Sequence, residues 1–461
     1  MRPVTASSPA GVKNWAGQYS CTPRRIHRAS CRDDVIAALA SAAVSDSRLR
    51  ILGAACSPSD IAMSDEDLLI LDGMSRTVSI DEATRRVRVE AGARLADITA
   101  AIAPHRLAFP VLGSISNQTI AGAISTSTHG TGVGFGSLSC LVEEIELVTP
   151  GGEILQLSAT RHPDVFNAAR CGLGAIGVIT EVTLRLAPAF DLIVSEEPSD
   201  LDTVLSALPQ RLKYDHFRFW YLPHAERVWE WKATRTEPSA DSTPSPRLSY
   251  PLWWRERAVG VHAYEALLYM GSFAPALVSM LNRGYAQLLF RVPKKSRRRS
   301  DRQFNFNCLF AQHVDEWAIP IERTGEALRG LRDLIARNRF RVHMPIEVRF
   351  VKGDDIWLSP CHERDSCYVG VIAYMPFGRN TVDHMAYFAA FEALMASLDG
   401  RPHWAKSFGP EASWLQDRYP RWADFQRIRA KHDPQGRLTN SYTDRVLGPV
   451  WSTHTHGAQK R

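Results

Sequence analysis

The sequence predicts a two-domain protein in which an α+β first domain precedes an α/β second domain. Its 461 residues exceed the roughly 250–300 residues that a single hydrophobic core usually serves. Strand-like alternation of polar and apolar residues recurs between helical segments in both halves of the chain. The first half carries loops rich in Gly, Ser and Thr, whereas the second half is aromatic and rich in strands. We therefore divide the chain into residues 1–187 and 188–461.

Composition and charge exclude several classes of protein. Hydrophobic residues make up 45% of the chain and charged residues 23%, as in soluble globular proteins and unlike disordered, collagenous or coiled-coil chains. The net charge of +6 is partly concentrated in the basic run Lys294–Arg299, so it does not predict a nucleic-acid partner. The eight cysteines show no CxxC or metal-ligand spacing, which predicts reduced thiols in the cytoplasm and no metal site.

Periodicity and turn residues place the elements of both domains in order. Ser30 and Asp33 are capping residues at the start of an Ala-rich helix, and residues 150–152 form a turn between two alternating strands. A loop rich in Ser, Thr and Pro is predicted over residues 233–249. The predicted helices cover residues 33–44, 95–103, 326–337 and 382–398, and the predicted strands cover residues 49–52, 86–91, 144–148, 153–157, 178–184, 217–221, 347–350 and 368–374.

The most apolar uncharged segment, residues 266–282, is interrupted by Gly271 and Pro275. It is shorter than the about 20 residues that a membrane-spanning helix needs. We favour a buried or partly exposed helix. The alternative is contact with a membrane surface through residues 266–302, aided by the basic run. The start of the chain lacks the apolar stretch of a secretory signal, which favours the cytoplasm. The sequence predicts no oligomeric state.

Two loops of small residues are candidates for binding phosphate. Residues 53–57 follow a predicted strand, and residues 113–132 are rich in Gly, Ser and Thr. Small residues let backbone N–H groups approach a pyrophosphate closely. Neither loop has a Rossmann or Walker pattern, which excludes standard nicotinamide and nucleoside-triphosphate sites. Ordinary tight turns are the alternative.

Three groups of polar residues are candidates for chemistry. Glu347 and Arg349 lie two apart on a strand, so their side chains share one face, either as a surface ion pair or inside a site. Residues 401–406 (RPHWAK) interleave cationic groups with a Trp, as in a site for a polyhydroxylated ligand or in a solvated loop. His129 is either a structural residue of a turn or a catalytic base.

Together these motifs resemble the aldonolactone oxidoreductases of the vanillyl-alcohol-oxidase-type FAD flavoproteins. The resemblance covers nearly the whole chain, and several blocks in the right order make it specific. It is carried by residues 57–62 (SPSDIA), 312–320 (QHVDEWAIP), 347–350 (EVRF), 353–355 (GDD), 358–361 (LSPC), 364–368 (RDSCY) and 401–406 (RPHWAK).

The resemblance implies an N-terminal FAD-binding domain of the PCMH type and a second, cap domain that carries the substrate pocket. A C-terminal segment of about residues 400–445 would return to the flavin site. The implied cofactor residues are Gly53, Ala54, Ala55, Cys56 and Ser57 in the first loop, Gly113, Ser114, Gly122, Thr128, His129 and Gly130 in the second, and Gly174, Val178 and Ile179 further along.

The same resemblance implies roles for the polar residues. Glu347 would hold or deprotonate the substrate hydroxyls, and Arg349 would stabilise the negative charge of the reduced flavin. Lys406 would donate a hydrogen bond to a lactone, and Ser114 and His403 complete the implied substrate set. The implied reaction is oxidation at C2 of a sugar 1,4-lactone, such as L-gulono-1,4-lactone, by hydride transfer to flavin N5. Oxygen would be reduced to hydrogen peroxide, and the product would be ascorbate or an analogue.

Position 113 bears on the electron acceptor. In the resembled family a small residue beside flavin C4a is associated with oxygen access, whereas Ala there resembles the dehydrogenases. Gly113 therefore favours an oxidase. The alternatives are an aldonolactone dehydrogenase with another electron acceptor, an alditol or sugar-alcohol oxidase, and a non-catalytic flavin-binding descendant.

The sequence departs from the family in the first loop and near Lys406. The histidine that carries a covalent flavin bond in the family turn Gly-x-Gly-His-Ser is replaced by Cys56, and the second glycine by Ala55. A histidyl–flavin bond at this position is therefore excluded. We favour non-covalent FAD, and a cysteinyl link through Cys56 is the alternative. Phe408 stands where relatives commonly carry His.

Overall fold

A computed structural model describes residues 11–239, 263–289, 292–305, 310–375 and 383–451. The first part of the chain forms a three-stranded parallel sheet, a five-stranded antiparallel sheet and two strand pairs. Most of the second part forms one eight-stranded sheet in which every neighbouring pair of strands is antiparallel. The second domain thus combines helix and sheet as predicted.

The strands are β1 Val12–Lys13, β2 Ser20–Cys21, β3 Arg25–Arg28, β4 Leu49–Leu52, β5 Asp67–Ile70, β6 Thr77–Asp81, β7 Arg86–Glu90, β8 Leu107–Ala108, β9 Val142–Val148, β10 Ile154–Ser158, β11 Val178–Arg185, β12 Ala187–Pro188, β13 Asp191–Asp200, β14 His216–Leu222, β15 Arg227–Thr236, β16 Lys294–Arg299, β17 Gln312–Pro320, β18 Ile346–Val351, β19 Ser366–Tyr374 and β20 Arg401–Pro402.

The α-helices in the described ranges are α1 Arg32–Val44, α2 Leu95–Ile102, α3 Ile120–Ser125, α4 Pro163–Ala169, α5 Leu201–Ser206, α6 Leu208–Arg211, α7 Ala263–Phe273, α8 Val278–Leu289, α9 Ser300–Phe304, α10 Thr324–Arg337, α11 Met385–Ser397, α12 Ala412–Leu415, α13 Trp422–His432 and α14 Ser441–Leu447.

The core of the first domain also contains the C-terminal part of the chain. Trp404, Phe408 and Tyr442 belong to the same hydrophobic cluster as the strands of the five-stranded sheet. Buried Arg50 joins these parts, because its guanidinium donates hydrogen bonds to the carbonyls of Leu173 at 2.7 Å and Leu438 at 3.1 Å. The chain therefore packs against the first domain again after it has built the second.

The eight-stranded sheet has one apolar face and one polar face. Val348, Phe350 and Val369 point into a second hydrophobic cluster, where α10 and α11 cover them. Because side chains alternate along a strand, Glu347 and Arg349 point to the opposite face. The predicted sharing of one face by these two residues is confirmed by their direct contact.

The second small-residue loop is attached to this sheet by backbone and side-chain hydrogen bonds. The N–H of Gly132 donates to the carbonyl of Phe350 at 2.6 Å, and the N–H of Phe350 donates to Oγ1 of Thr131 at 3.1 Å. Nδ1 of His216 donates to the carbonyl of Thr131 at 2.7 Å. These bonds hold the loop beside β14 and β18, and β18 is the strand that carries Glu347 and Arg349.

Most predicted elements occur within a few residues of their expected bounds, and one loop is shorter than expected. Residues 233–236 were predicted as loop, but they continue β15 because they pair with β13 along its whole length. Residues 240–249 of that predicted loop lie outside the described residues. The predicted helix over 382–398 begins at Met385, and residues 376–382 are likewise outside the described ranges.

The apolar segment 266–282 forms parts of two helices rather than one. α7 ends at Phe273, and α8 starts at Val278 after Pro275 interrupts the chain. Phe273 and Met280 are exposed. Among the described residues, no helix combines the length and the apolarity needed to cross a bilayer. The described cysteines carry free thiols, and Cys308 lies outside the described ranges.

Candidate active site

A long cleft in the first domain is lined by small residues from three loops. It contains a cavity of about 250 Å³ between the loop after β4, the start of α3 and the segment between α4 and β11. The predicted cofactor residues that line it are Gly53, Ala54, Ala55, Cys56, Ser57, Gly122, Gly174, Val178 and Ile179.

The first loop, residues 53–57, offers backbone donors to this cleft. Ala55 has a left-handed backbone with φ of 51°, a conformation that L-residues rarely adopt. Gly53 is required by a close approach, since a Cβ there would lie 2.5 Å from Oγ1 of Thr119. The N–H groups of residues 54–57 donate no hydrogen bond to any residue that the structure describes. They remain available to an anionic ligand such as a pyrophosphate.

Cys56 stands in this loop in a half-buried position. Burial raises the pKa of its thiol to about 11, although nearby Arg94 opposes the shift. Its Sγ lies 3.6 Å from the carbonyl oxygen of Ala54. The group is therefore a neutral thiol at physiological pH, and a neutral thiol is a poor nucleophile.

Several polar residues that the sequence analysis did not name also line the cleft, among them Arg94, Gln118 and Thr119. Arg94 precedes α2 and donates a hydrogen bond to the carbonyl of Asn117 at 2.8 Å. Oε1 of Gln118 is buried without a hydrogen-bond partner among the described residues. The available signal was position, because residues 117–119 belong to the second small-residue loop and immediately precede α3.

Beyond the cleft, the polar face of the eight-stranded sheet carries a compact group around Glu347. Its Oε1 accepts hydrogen bonds from Nη2 of Arg349 at 2.6 Å and from Nε1 of Trp220 at 3.3 Å. The same Nη2 of Arg349 also donates to Oγ of Ser114, in the second loop. The structure thus brings together three predicted site residues from two domains, and Trp220 joins them from β14.

Electrostatics keep Glu347 ionised in this group. Burial raises the pKa of Glu347, but the guanidinium groups of Arg349 and Arg218 outweigh burial and hold the pKa below its usual value. Arg218 lies next to Arg349 in the sheet register. Nε of Arg349 is buried and has no hydrogen-bond partner among the described residues. The cation therefore retains an unused donor for a ligand.

The loop that follows β20 brings Lys406 and His403 to the same face. The N–H of His403 donates to the carbonyl of Glu316 at 2.8 Å, and the N–H of Lys406 donates to the carbonyl of His403 at 2.9 Å. Nζ of Lys406 lies 3.4 Å from Oε2 of Glu316. Burial lowers the pKa of His403 to about 3, so this imidazole is neutral at physiological pH.

His129 lies in this network and does not line the cleft. Its ring stacks on that of Tyr368 with centroids 3.7 Å apart, and its Nε2 lies 3.5 Å from Oε1 of Glu316. His129, Glu316 and His403 bring ligand-type atoms within 4.8 Å of one another. Because the Lys406 ammonium already pairs with Glu316, we interpret the cluster as an ionic network rather than a metal site.

The remaining predicted cofactor residues of the second loop lie between the cleft and the sheet. Oγ1 of Thr128 accepts a hydrogen bond from Nε2 of Gln118 at 3.2 Å. A Cβ at Gly113 would lie 3.3 Å from the carbonyl oxygen of His129, and the carbonyl of Gly130 accepts from Nδ1 of His129 at 2.9 Å. Cofactor contact by these residues stays a prediction.

These features fit an elongated, partly anionic cofactor with a polar ring. Unpaired N–H groups of residues 54–57 suit a pyrophosphate. The unpartnered Nε of Arg349 suits the electron-rich edge of a bound ring. The fold and the site together define a flavoprotein, and comparisons with known proteins agree.

Residues 23–158 match the family model described as FAD binding domain, and residues 182–446 match the model described as D-arabinono-1,4-lactone oxidase. The chain belongs to the D-arabinono-1,4-lactone oxidase family. The predicted family, fold class and enzyme class are thereby confirmed, and the chain is an FAD-dependent oxidoreductase. Its assignment to sugar-lactone oxidation is confirmed at the level of the family.

Two relatives align with almost their whole length. L-gulonolactone oxidase of Bos taurus is 39% identical over 441 residues, covering 95% of this chain and 98% of its own. L-gulono-1,4-lactone dehydrogenase of Mycobacterium tuberculosis is 35% identical over 445 residues, covering 95% and 99%. A solved structure, a solvent-stable cholesterol oxidase, matches 97% of this chain and 100% of its own with a TM-score of 0.77 and 16% identity. That likeness shows the fold.

Proposed function

We propose that the protein oxidises a sugar 1,4-lactone, L-gulono-1,4-lactone or a close relative, at C2 and passes the electrons to oxygen. The observation that carries this proposal is the Glu347–Arg349 pair, which faces the second loop and contacts it through Ser114. The lactone oxidases and the lactone dehydrogenase among its relatives support this substrate class.

The residues of the pair have separate tasks in this proposal. Glu347 remains anionic, so it accepts a hydrogen bond from a substrate hydroxyl and orients the C–H bond that is to be broken. Arg349 stabilises negative charge that develops beside it. Lys406 donates to an oxygen of the lactone, and His403 fixes the loop that carries Lys406. When bound, FAD accepts the electrons from C2 and supplies the redox chemistry that amino-acid side chains lack.

We further propose that FAD is bound non-covalently. The cleft offers FAD the backbone N–H groups of residues 54–57. It also offers the residues at the start of α3 and those between α4 and β11. The raised pKa of Cys56 opposes formation of the thiolate that a cysteinyl link requires. A precipitated protein that releases all of its yellow colour into the supernatant would agree, and colour retained with the polypeptide would contradict this proposal.

Oxygen is the electron acceptor that Gly113 favours. A Cβ at this position would lie 3.3 Å from the carbonyl oxygen of His129, so even one methyl group would narrow the path along the second loop. The dehydrogenase from Mycobacterium tuberculosis keeps a second candidate function in view, in which another carrier accepts the electrons. The cytoplasmic location and the membrane-surface contact through residues 266–302 stay predictions.

The visible spectrum of the purified protein tests the proposal directly. Under nitrogen, addition of L-gulono-1,4-lactone should bleach the flavin bands, and admission of air should restore them with formation of hydrogen peroxide. Bleaching that air fails to reverse would favour the dehydrogenase. Persistent colour with every lactone tested would refute the proposed substrate class, and a preparation that neither contains nor takes up FAD would refute the proposed catalysis altogether.

A further inference from the structure

A second buried carboxylate, Glu316 on β17, lies on the same sheet face as Glu347. In the sheet register, Gly370 pairs with Glu347 on one side and with Glu316 on the other. Opposed residues of neighbouring strands project to the same face. Gly370 has no side chain to fill the interval, and a Cβ there would lie 3.6 Å from Cγ of Glu316. The two carboxylates therefore border one gap in the polar face.

Each carboxylate has its own cation. Glu347 contacts Arg349 at 2.6 Å, whereas Glu316 lies 3.4 Å from Nζ of Lys406. The side chain of Glu316 is 8% exposed, and an isolated carboxylate at such a depth is costly. The pairing of Glu316 with Lys406 offsets part of that cost.

The cations around Glu316 determine its charge. Burial raises the pKa of Glu316, but Lys406 and His129 outweigh burial and hold the pKa well below its usual value. Glu316 is therefore anionic throughout the physiological range. The titratable groups that face it from the packed elements are Lys406, His403, His129, Tyr368 and Glu347.

Lys406 needs such a tether because its side chain is long and flexible. A Lys ammonium is a point charge on a four-carbon stem, and its rotamers cost entropy to order. The backbone of the Lys406 loop is already attached to β17, since the carbonyl of Glu316 accepts from the N–H of His403. The carboxylate of Glu316 then fixes the end of the side chain. Main chain and side chain of one residue thus define where the Lys406 ammonium lies.

We propose that Glu316 is a positioning residue for substrate recognition, holding the Lys406 ammonium across the gap from the Glu347–Arg349 pair. The lactone would then bind between the Glu347 carboxylate, which accepts a hydrogen bond, and the Lys406 ammonium, which donates one. This inference rests on the proposed function, because it assigns to Lys406 the task of binding a lactone oxygen. Nothing in the sequence pattern had singled out Glu316 as a site residue.

A double-mutant cycle tests the proposal on the FAD-loaded protein. Glu316→Gln should raise KM for L-gulono-1,4-lactone by about 10-fold and change kcat by less than about threefold, because binding rather than the redox step is affected. Lys406→Met should weaken binding at least as much. In the double variant the second change should add less than about twofold, since coupled residues are not additive. Glu316→Asp should recover part of the loss.

Asp315→Asn is the matched control, because Asp315 is a buried acidic residue on the same strand that contacts Trp317 on the opposite face. It should leave KM unchanged whatever it does to stability. If the KM increases of the two single variants multiply in the double variant, the positioning role would be wrong. An equal rise of KM in the Asp315 variant would also overturn that role, and neither result would affect the proposed function. A wild-type protein whose flavin no lactone reduces would overturn the proposed function and this inference with it.

Discussion

Replacement of Ala55 by Gly should stabilise the first loop, because Ala55 has a φ of 51°. A left-handed backbone costs an L-residue about 1–2 kcal/mol. A glycine avoids that cost but loses about 0.5–1 kcal/mol more through its greater freedom in the unfolded chain. The difference is a stabilisation of about 0.5–1 kcal/mol for Ala55→Gly.

The neighbouring Ala54 provides the control, since its φ is not positive. Ala54→Gly should destabilise the protein by about 0.5–1 kcal/mol, because it brings the entropic cost without the conformational relief. The measurement is urea unfolding of the FAD-loaded protein at a fixed FAD concentration, followed by the fluorescence of released flavin. Opposite shifts of the midpoint for the two variants would support the reasoning. Two shifts of the same sign and size would refute it.

Three other predictions follow from the site and its surroundings. Glu347→Ala and Arg349→Ala should retain FAD but slow its anaerobic reduction by lactone by about 100-fold or more in stopped flow; unchanged rates would contradict their roles. Gly113→Ala, whose Cβ would lie 3.3 Å from the carbonyl of His129, should fold and be reduced normally but react more slowly with oxygen; equal reoxidation rates would refute the steric argument. Burial lowers the pKa of His216 from 6.5 to about 4, so its contribution to stability is complete above pH 6.5 and is lost as the pH falls towards 4. In His216→Gln the urea midpoint should therefore depend less on pH between these values. An unchanged pH dependence would show that this histidine is not its source.

Local sequence patterns correctly predicted those features of the fold that a single helix or strand determines. Alternation predicted β7, β9 and β11 because their apolar side chains project into the first core. The i, i+2 spacing of Glu347 and Arg349 predicted their shared face for the same geometric reason. Ala55 illustrates a different case: the sequence analysis noted only that it replaces a family glycine, and the structure shows that its backbone is left-handed with a φ of 51°.

Features that depend on the pairing of distant strands were beyond the sequence analysis. β16 contains the basic run Lys294–Arg299, which has none of the apolar alternation of a strand, yet it pairs with β13. Its exposed position at the edge of the sheet tolerates consecutive charges, which a central strand would not. The extension of β15 through residues 233–236 was missed for a related reason, because its partner β13, rather than its own composition, determines where it ends.

The site shows the same limit at the level of single residues. Glu316 lies within a stretch that carries the family resemblance, but its neighbours in sequence, Asp315 and Trp317, point into the opposite side of the sheet. Only the register of β17 with β19 and of β19 with β18 sets Glu316 beside Gly370 and opposite Glu347. A shift of one residue would turn Asp315 towards Lys406 and Glu316 into the apolar cluster. The charge pairing on the polar face is therefore a consequence of strand register. Strand register also explains why the adjacent acidic residues Asp315 and Glu316 lie on opposite faces of the sheet.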